Sequence, residues 1–286
     1  MLFFKRRLSF LTTRSFACDI LIYDDIGINW LHHVIPTNAS TIYLSTRSVI
    51  PIPWSASFWK HLLRKVLNSL RHQREPYSYI YISTLFDRFA PDFDAQLTGE
   101  LEYRAPKILA STIKGHLTEG KIRLDILDLG CGTGLGGVAF KKLAKRIDGV
   151  DLSGEMLKLA RKRRIYKHLT KSDIITHLNR VNRKYDLVTG ADVFVYFGAL
   201  NALFAGVERI LKPGGFLVFS VESNKNSSFE LTPSGRYVHG RSYVRKVAKW
   251  GGLNECSVNR EIVRQEYGEP VFGDIWVFKA HGERAS

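Results

Sequence analysis

The sequence predicts an α/β fold, a mostly parallel sheet with helices on both faces and an antiparallel pair at one edge. Three observations predict it. From Ile126 onward, short apolar runs of strand length alternate with stretches of helical periodicity. A glycine cluster, Gly130-Cys131-Gly132-Thr133-Gly134, joins the first of these runs to the first of these helices. Further on, two apolar runs follow each other with only a polar segment between them, the pattern of neighbouring antiparallel strands.

Residues 1–75 read as an N-terminal α/β extension in the order strand, helix, strand, helix. Ile20-Leu21-Ile22-Tyr23 is a strand that stops at Asp24-Asp25, and the apolar stretch around Trp30, Leu31 and Val34 follows as a helix. Ile42-Tyr43-Leu44 is a second strand. Pro51 and Pro53 precede a helix with Phe58, Leu62, Leu63, Val66, Leu67 and Leu70 on one face. Two such units are too few to close a sheet, so the extension is expected to dock on the main domain or on another chain. Residues 76–120 read as a helical cap, with Leu85 to Ala90 ahead of Pro91 and an apolar-periodic stretch from Leu101 to Ile113 broken by Pro106.

Residues 121–286 carry the alternation. Strands are expected at Ile126 to Leu129, Ile147 to Leu152, ahead of Ser172, at Tyr185 to Thr189 and at Phe216 to Val221. Helices are expected at Leu135 to Ala144, Met156 to Arg164 and Leu200 to Leu211. Lys212-Pro213-Gly214-Gly215 reads as a helix-stop turn. Cys256-Ser257-Val258 and Asp274 to Phe278 complete the set as the antiparallel pair.

Of the 286 residues, 45% are hydrophobic and 24% charged, which excludes a disordered chain. No run reaches the roughly 18 apolar residues of a membrane-spanning helix. Leu2-Phe3-Phe4 is followed by Lys5-Arg6-Arg7, but Ser9, Thr12, Thr13 and Arg14 interrupt the next apolar residues. No export signal is read, and an organelle transit peptide is the lesser alternative to a cytoplasmic location. Cys18, Cys131 and Cys256 are too scattered for a disulfide or metal pattern, and His32-His33 has no partner at ligand spacing, so no metal site is expected. The net charge of +15 admits a nucleic acid or another anionic partner. Its residues are spread along the chain, however, and the one dense run, Arg161-Lys162-Arg163-Arg164, suits the negative end of a helix as a solvated face.

The chemistry is concentrated at Ile126-Leu127-Asp128-Leu129-Gly130-Cys131-Gly132-Thr133-Gly134, a buried strand running into a glycine turn and a helix. Glycines let a ligand lie against the main chain, and the helix start offers free amides. A carboxylate at Asp128 suits a ligand with an ammonium group. Asp151 ends the next strand about twenty residues on, where a carboxylate accepts the hydroxyls of a ribose. Ser172-Asp173 follows the third strand, at reach of an adenine amino group. Gly132, Gly134 and Gly137 also satisfy the dinucleotide pattern, so NAD competes for the same loop.

The glycine turn, Gly149-Val150-Asp151-Leu152-Ser153, Tyr185-Asp186-Leu187-Val188 and Leu211-Lys212-Pro213-Gly214-Gly215 together resemble the class I S-adenosylmethionine (SAM)-dependent methyltransferases in order and spacing. Leu85 to Ala90 with Phe93-Asp94, Leu101 to Pro106, and Leu231 to Tyr237 more closely resemble a bacterial group of predicted methyltransferases that often carry tetratricopeptide repeats. No such repeats are seen in the first 75 residues.

The resemblance implies a Rossmann-like doubly wound, mostly parallel sheet of seven strands and a SAM cofactor. It places Asp128, Gly130, Cys131, Gly132 and Gly134 at the methionine part, Asp151 at the ribose, and Leu152 and Met156 at the adenine face. Ser172 and Asp173 fall at the adenine edge, Asp192 where substrate and methyl group meet, and Tyr103 and Arg104 in the cap. It implies methyl transfer to an unidentified small-molecule or protein acceptor. Candidates for a catalytic group are Asp192, Tyr237 and His239, the histidine because its ordinary pKa lies near neutrality.

Ala191-Asp192-Val193-Phe194-Val195-Tyr196 lacks the Pro-Pro-aromatic loop of enzymes that methylate base or amide nitrogens, which counts against a nucleobase target. The alternatives are a SAM-binding factor without turnover and an RNA-directed methyltransferase. An NAD-dependent oxidoreductase is more remote, because Asp128 and the Lys212–Gly215 turn speak for SAM.

Overall fold

A computed structural model describes residues 17–24, 27–34, 79–90, 93–95, 101–117, 123–225, 227–266 and 268–282. The chain divides into two units, Met1–Leu62 and Leu63–Ser286. In the first, β1 (Ala17–Asp24) and β2 (Gly27–Val34) pair antiparallel in unbroken register from Ala17 opposite Val34 to Asp24 opposite Gly27. The helix expected around Trp30 is therefore a strand. Ile28, Trp30 and Val34 are β-branched or aromatic residues at alternate positions, a pattern with the period of a strand. The second strand and the second helix expected before Pro76 lie outside the described residues.

The second unit opens with α1 (Tyr79–Phe89), a short helical turn at Phe93–Ala95, and α2 (Ala105–Lys114). Pro106 begins α2 rather than breaking it, because the first helical turn has amide groups to spare. Alternation then follows in order. The elements are β3 (Leu124–Leu129), α3 (Leu135–Phe140), β4 (Ala144–Asp151), α4 (Gly154–Lys162), β5 (His168–Lys171), α5 (Ile174–Arg180), β6 (Tyr185–Gly190), α6 (Asn201–Ile210) and β7 (Leu211–Asn224). Two short strands, β8 (Phe229–Leu231) and β9 (Tyr237–Gly240), precede α7 (Arg241–Trp250). The long strands β10 (Leu253–Glu266) and β11 (Glu269–Ala280) finish the sheet.

The sheet runs β10-β11-β7-β6-β3-β4-β5, with β9 added beside β7 and β8 beside β9. β7, β6, β3, β4 and β5 are mutually parallel, and β11 runs antiparallel to both β7 and β10. This is the Rossmann-like, mostly parallel sheet with an antiparallel edge pair that the alternation predicts. Successive side chains of a strand point to opposite faces. Leu127 and Leu129 of β3 accordingly join a core with α5, α6 and α7, while Leu124 and Ile126 join one with α2 and α3.

The helix expected to run to Ala144 stops at Phe140, because residues from Ala144 on pair with β3. The helix-stop turn expected at Lys212–Gly215 is instead a bulged start of β7, where the pairing with β6 passes from Leu211 to Phe216. Helix α6 ends at Ile210, and Lys212 Nζ reaches Asp125 at 3.1 Å and Asp186 at 2.7 Å.

A column of rings fixes the segment after β6. Phe194 stacks on Phe219 at 4.6 Å between centroids, Phe219 on Phe278 at 6.0 Å, and Phe278 on Trp276 at 5.5 Å. Such pairs each contribute about 0.5–1.5 kcal/mol beyond the area they bury. The loop between β6 and α6 is thus anchored to the core two residues beyond Asp192.

Candidate active site

The C-terminal ends of β3 and β4 meet around the glycine turn. Gly130, Gly132 and Gly134 have φ of 62°, 52° and 95°, angles that cost an L side chain about 1–2 kcal/mol each. Space gives Gly130 a second reason, since a Cβ there would lie 2.4 Å from Val193 Cγ2. At Gly132 the nearest atom to such a Cβ is Phe93 Cε1 of the cap, 4.0 Å away. The turn is open at that point, and a ligand can approach the main chain.

Asp151 grips the turn. Its Oδ2 accepts from the Gly132 amide and its Oδ1 from the Ser153 amide, both at 2.8 Å. Its carbonyl accepts from the Ser172 amide at 3.0 Å. Burial pushes its carboxyl above the usual range, while the Ser153 and Gly132 amides pull the other way. Cys131 is buried, with its amide on the Val150 carbonyl at 3.1 Å. Asp128 is buried as well, and its Oδ2 accepts from the Tyr166 hydroxyl at 2.6 Å. Burial raises its pKa to about 7 despite that hydrogen bond.

Residues of α1 and of the helical turn at Phe93–Ala95 bond to the same region. Asp87 Oδ1 of α1 accepts from the Ser153 hydroxyl at 2.5 Å and from the Glu155 amide at 3.2 Å, and Ser83 donates to the Leu152 carbonyl at 3.3 Å. Thr133 donates its hydroxyl to Asp94 at 2.5 Å. Arg163 pairs with Asp94 and sends Nε to the Thr133 carbonyl at 2.6 Å. Arg161, Lys162 and Arg164 are solvated as expected, but Arg163 turns inward to this contact. Ser153 also caps α4, accepting from the Met156 amide at 3.1 Å. Ser153→Ala is expected to cost about 0.5–2 kcal/mol in urea unfolding, and a change within error would dismiss both contacts.

Beyond β6, Asp192 sits at a left-handed φ of 57°. Its amide donates to Ser220 Oγ at 2.8 Å and its Oδ2 accepts from Arg264 at 2.7 Å, so it pairs across the sheet. Arg264, 2% exposed, also bonds Glu222 at 2.5 Å and Glu266 at 2.9 Å. Arg236 adds a bond to Glu266 at 2.6 Å. Burial raises the Glu266 carboxyl, but Arg236 and Arg264 outweigh it and hold the group below its ordinary value. Tyr103 of the cap donates to the Ala191 carbonyl at 3.3 Å, and burial followed by the nearby Asp192 raises its hydroxyl well above the usual tyrosine range.

The structure therefore gathers Asp128, Gly130, Cys131, Gly132, Gly134, Asp151 and Ser172 about one turn, with the Leu152 carbonyl held by Ser83 of α1. Met156 is buried. Asp173 caps α5 by accepting from the Thr176 amide at 2.9 Å. Arg104 bonds the Val263 carbonyl through its amide at 2.8 Å and leaves its side chain exposed.

Tyr237 and His239 belong to a separate aromatic group with Phe229 and Tyr243. His239 is fully buried and donates Nε2–H to the carbonyls of Phe197 at 2.9 Å and Gly198 at 3.1 Å. Burial lowers its pKa although those carbonyls favour the charged ring. Asp87, Asp94, Arg163, Tyr166 and Arg264 were not foreseen as site residues. Asp87 and Asp94 stand in stretches that carry the family resemblance, whereas Tyr166 and Arg264 carry no sequence signal of their own.

Residues 126–215 match the family model described as Methyltransferase domain. The chain is 32% identical over 142 residues to the malonyl-[acyl-carrier protein] O-methyltransferase of Acetivibrio thermocellus, covering 47% of each chain. It is 24% identical over 149 residues to the ubiquinone biosynthesis O-methyltransferase of Hydrogenovibrio crunogenus, covering 45% of this chain and 61% of that one. The alignments thus span about half the length of the curated relatives. A solved S-adenosylmethionine-dependent methyltransferase from Clostridium acetobutylicum superposes with a TM-score of 0.51 at 22% identity, covering 69% of this chain and 100% of the other. That likeness establishes the shared fold.

Proposed function

We propose that this chain is a SAM-dependent methyltransferase acting on a small-molecule or protein acceptor. The observation that carries the reading is the glycine turn held open by Asp151 within the segment that matches the methyltransferase domain model. The sheet order supports it against NAD, because the antiparallel β11 stands between β7 and β10, where the dinucleotide fold continues with parallel strands. The closer kinship to methyltransferases that often carry tetratricopeptide repeats, and a cytoplasmic location, belong to the same reading. Among the described residues no helix is long and apolar enough to cross a membrane.

The residues present fit SAM. The open face at Gly132 would take the methionine part and Asp151 the ribose, with Leu152, Ser172 and Asp173 toward the adenine. Bound SAM supplies a methyl group already activated by the sulfonium charge. The chain's part is then to orient the acceptor and exclude water, which positioning alone does effectively. Asp192, locked by Arg264 and Ser220, stands where an acceptor would be oriented, and Tyr103 and the cap close that side.

Titration calorimetry with SAM, and with NAD as control, tests the reading. SAM is expected to bind in the micromolar range and NAD not to bind. Asp151→Ala is expected to weaken SAM by about tenfold to a hundredfold, the worth of one charge-assisted hydrogen bond. Tighter binding of NAD than of SAM would overturn the assignment.

A further inference from the structure

Tyr166 lies in the segment between α4 and β5, and three glycines are built around it. A Cβ at Gly137 would lie 2.7 Å from the phenol, one at Gly149 2.9 Å from its ring and one at Gly134 3.1 Å from it. The ring fills a niche that the turn, α3 and β4 leave open together. Its hydroxyl is engaged twice, accepting from the Gly137 amide at 2.9 Å and meeting Asp128 Oδ2 at 2.6 Å. The amide can only donate, so the single hydroxyl hydrogen is directed to Asp128. A donor fixed in that sense favours the ionised carboxylate.

We infer that Tyr166 is a positioning residue for the cofactor, holding the Asp128 carboxylate oriented and ionised beside the glycine turn and so setting the pH range in which a cationic ligand binds. The inference rests on the SAM reading above. The groups facing Asp128 are Tyr166, Asp151 from β4, the Cys131 thiol in the turn and Tyr103 from the cap. Burial, then the neighbouring carboxylates, raises the Cys131 thiol, and Tyr103 is raised as well, so both stay neutral. Burial and Asp151 oppose ionisation of Asp128, and the Tyr166 hydrogen bond favours it. SAM carries a sulfonium and an ammonium, so the ionised form attracts it and the neutral form does not.

The test is SAM titration calorimetry between pH 6 and 9 on the wild type, Tyr166→Phe and Asp128→Asn, with thermal melts of each. Wild-type affinity is expected to rise with pH through about 7. Tyr166→Phe keeps the ring in its niche and should move that midpoint upward. Its affinity should match the wild type near pH 9 and fall behind below pH 7, by about tenfold for every pH unit the midpoint moves. Asp128→Asn should lose the transition and show only the ligand's own amine, which titrates at about 7.7–8.0 in every variant alike. Site-specific 3-fluorotyrosine at 166, a stronger donor of similar size, should move the midpoint down, which keeps the test decisive if Tyr166→Phe folds poorly. Superimposed wild-type and variant curves, or an equal loss at every pH, would overturn the inference while leaving SAM binding intact. A wild type that binds no SAM at any pH would overturn the cofactor reading, and this inference with it.

Discussion

Arg264→Met is expected to destabilise the fold by about 3–5 kcal/mol, the usual cost of removing one partner from a buried ion pair, or roughly 6–20 °C in Tm. Methionine preserves the stem and its packing, so the loss falls on the charges. Asp192, Glu222 and Glu266 all bond this guanidinium, and Arg236 reaches only Glu266 closely, at 2.6 Å, and Glu222 at 3.6 Å. Three carboxylates then share one cation.

The loss depends on pH. In the wild type Glu266 is held below its ordinary pKa. It therefore stabilises the fold above its unfolded pKa, a gain lost as pH falls through the folded value. In the variant Glu266 loses one of the two guanidinium groups that lower it and takes up a proton more readily, so the penalty should be larger at pH 8 than at pH 5. Urea unfolding at both values measures this. An equal loss at both would mean that packing rather than charge explains the effect.

Gly130→Ala is the second large effect, expected at about 2–5 kcal/mol. Roughly 1–2 of this comes from the left-handed backbone, and about 1–3 from forcing a methyl group against a neighbour. That neighbour is Val193, whose Cγ2 would lie 2.4 Å and whose Cβ 2.9 Å from the new carbon. The two parts separate in a double-mutant cycle with Val193→Ala. The second change should relieve the tighter contact, with Cγ2, and leave the backbone strain and the contact with the residual Cβ. Without such coupling, the turn and the loop after β6 would be shown to tolerate each other's movement. Val193 follows Asp192 directly, so the bare Cα of Gly130 seats the loop that carries Asp192.

The strands β3, β4, β6 and β7 and the helices α3, α4 and α6 were legible from their apolar runs and helical periodicity. Helix α5 was not, because its seven residues, Ile174–Arg180, hold too few turns to show a period. The glycine turn and Asp151 were legible because backbone angles and ribose-binding chemistry restrict which residues can stand there. Arg264 was not, for a physical reason. The register of β10 shifts between Ile262 and Arg264, which lets Val263 and Arg264 both be buried although they are neighbours in a strand. A bulge of this kind breaks the two-residue period on which strand reading depends. Tyr166 was missed because its partners, Asp128, Gly134, Gly137 and Gly149, are gathered only by the fold. The helix expected at Trp30 shows the opposite failure, in which a short apolar stretch fits either period.

The position of β11 bears on how this sheet is made. β10 is synthesised first, yet it joins the sheet only through β11, which pairs β7 on its other side. Until residues 269–280 emerge, the edge of β7 bearing Leu217, Val218, Phe219 and Val221 has no partner on that side. An open apolar edge is the feature by which nascent chains recruit one another. The sheet is therefore closed by a non-local pairing, and before it forms the bare edge of β7 is the surface through which one copy of the chain can pair with another.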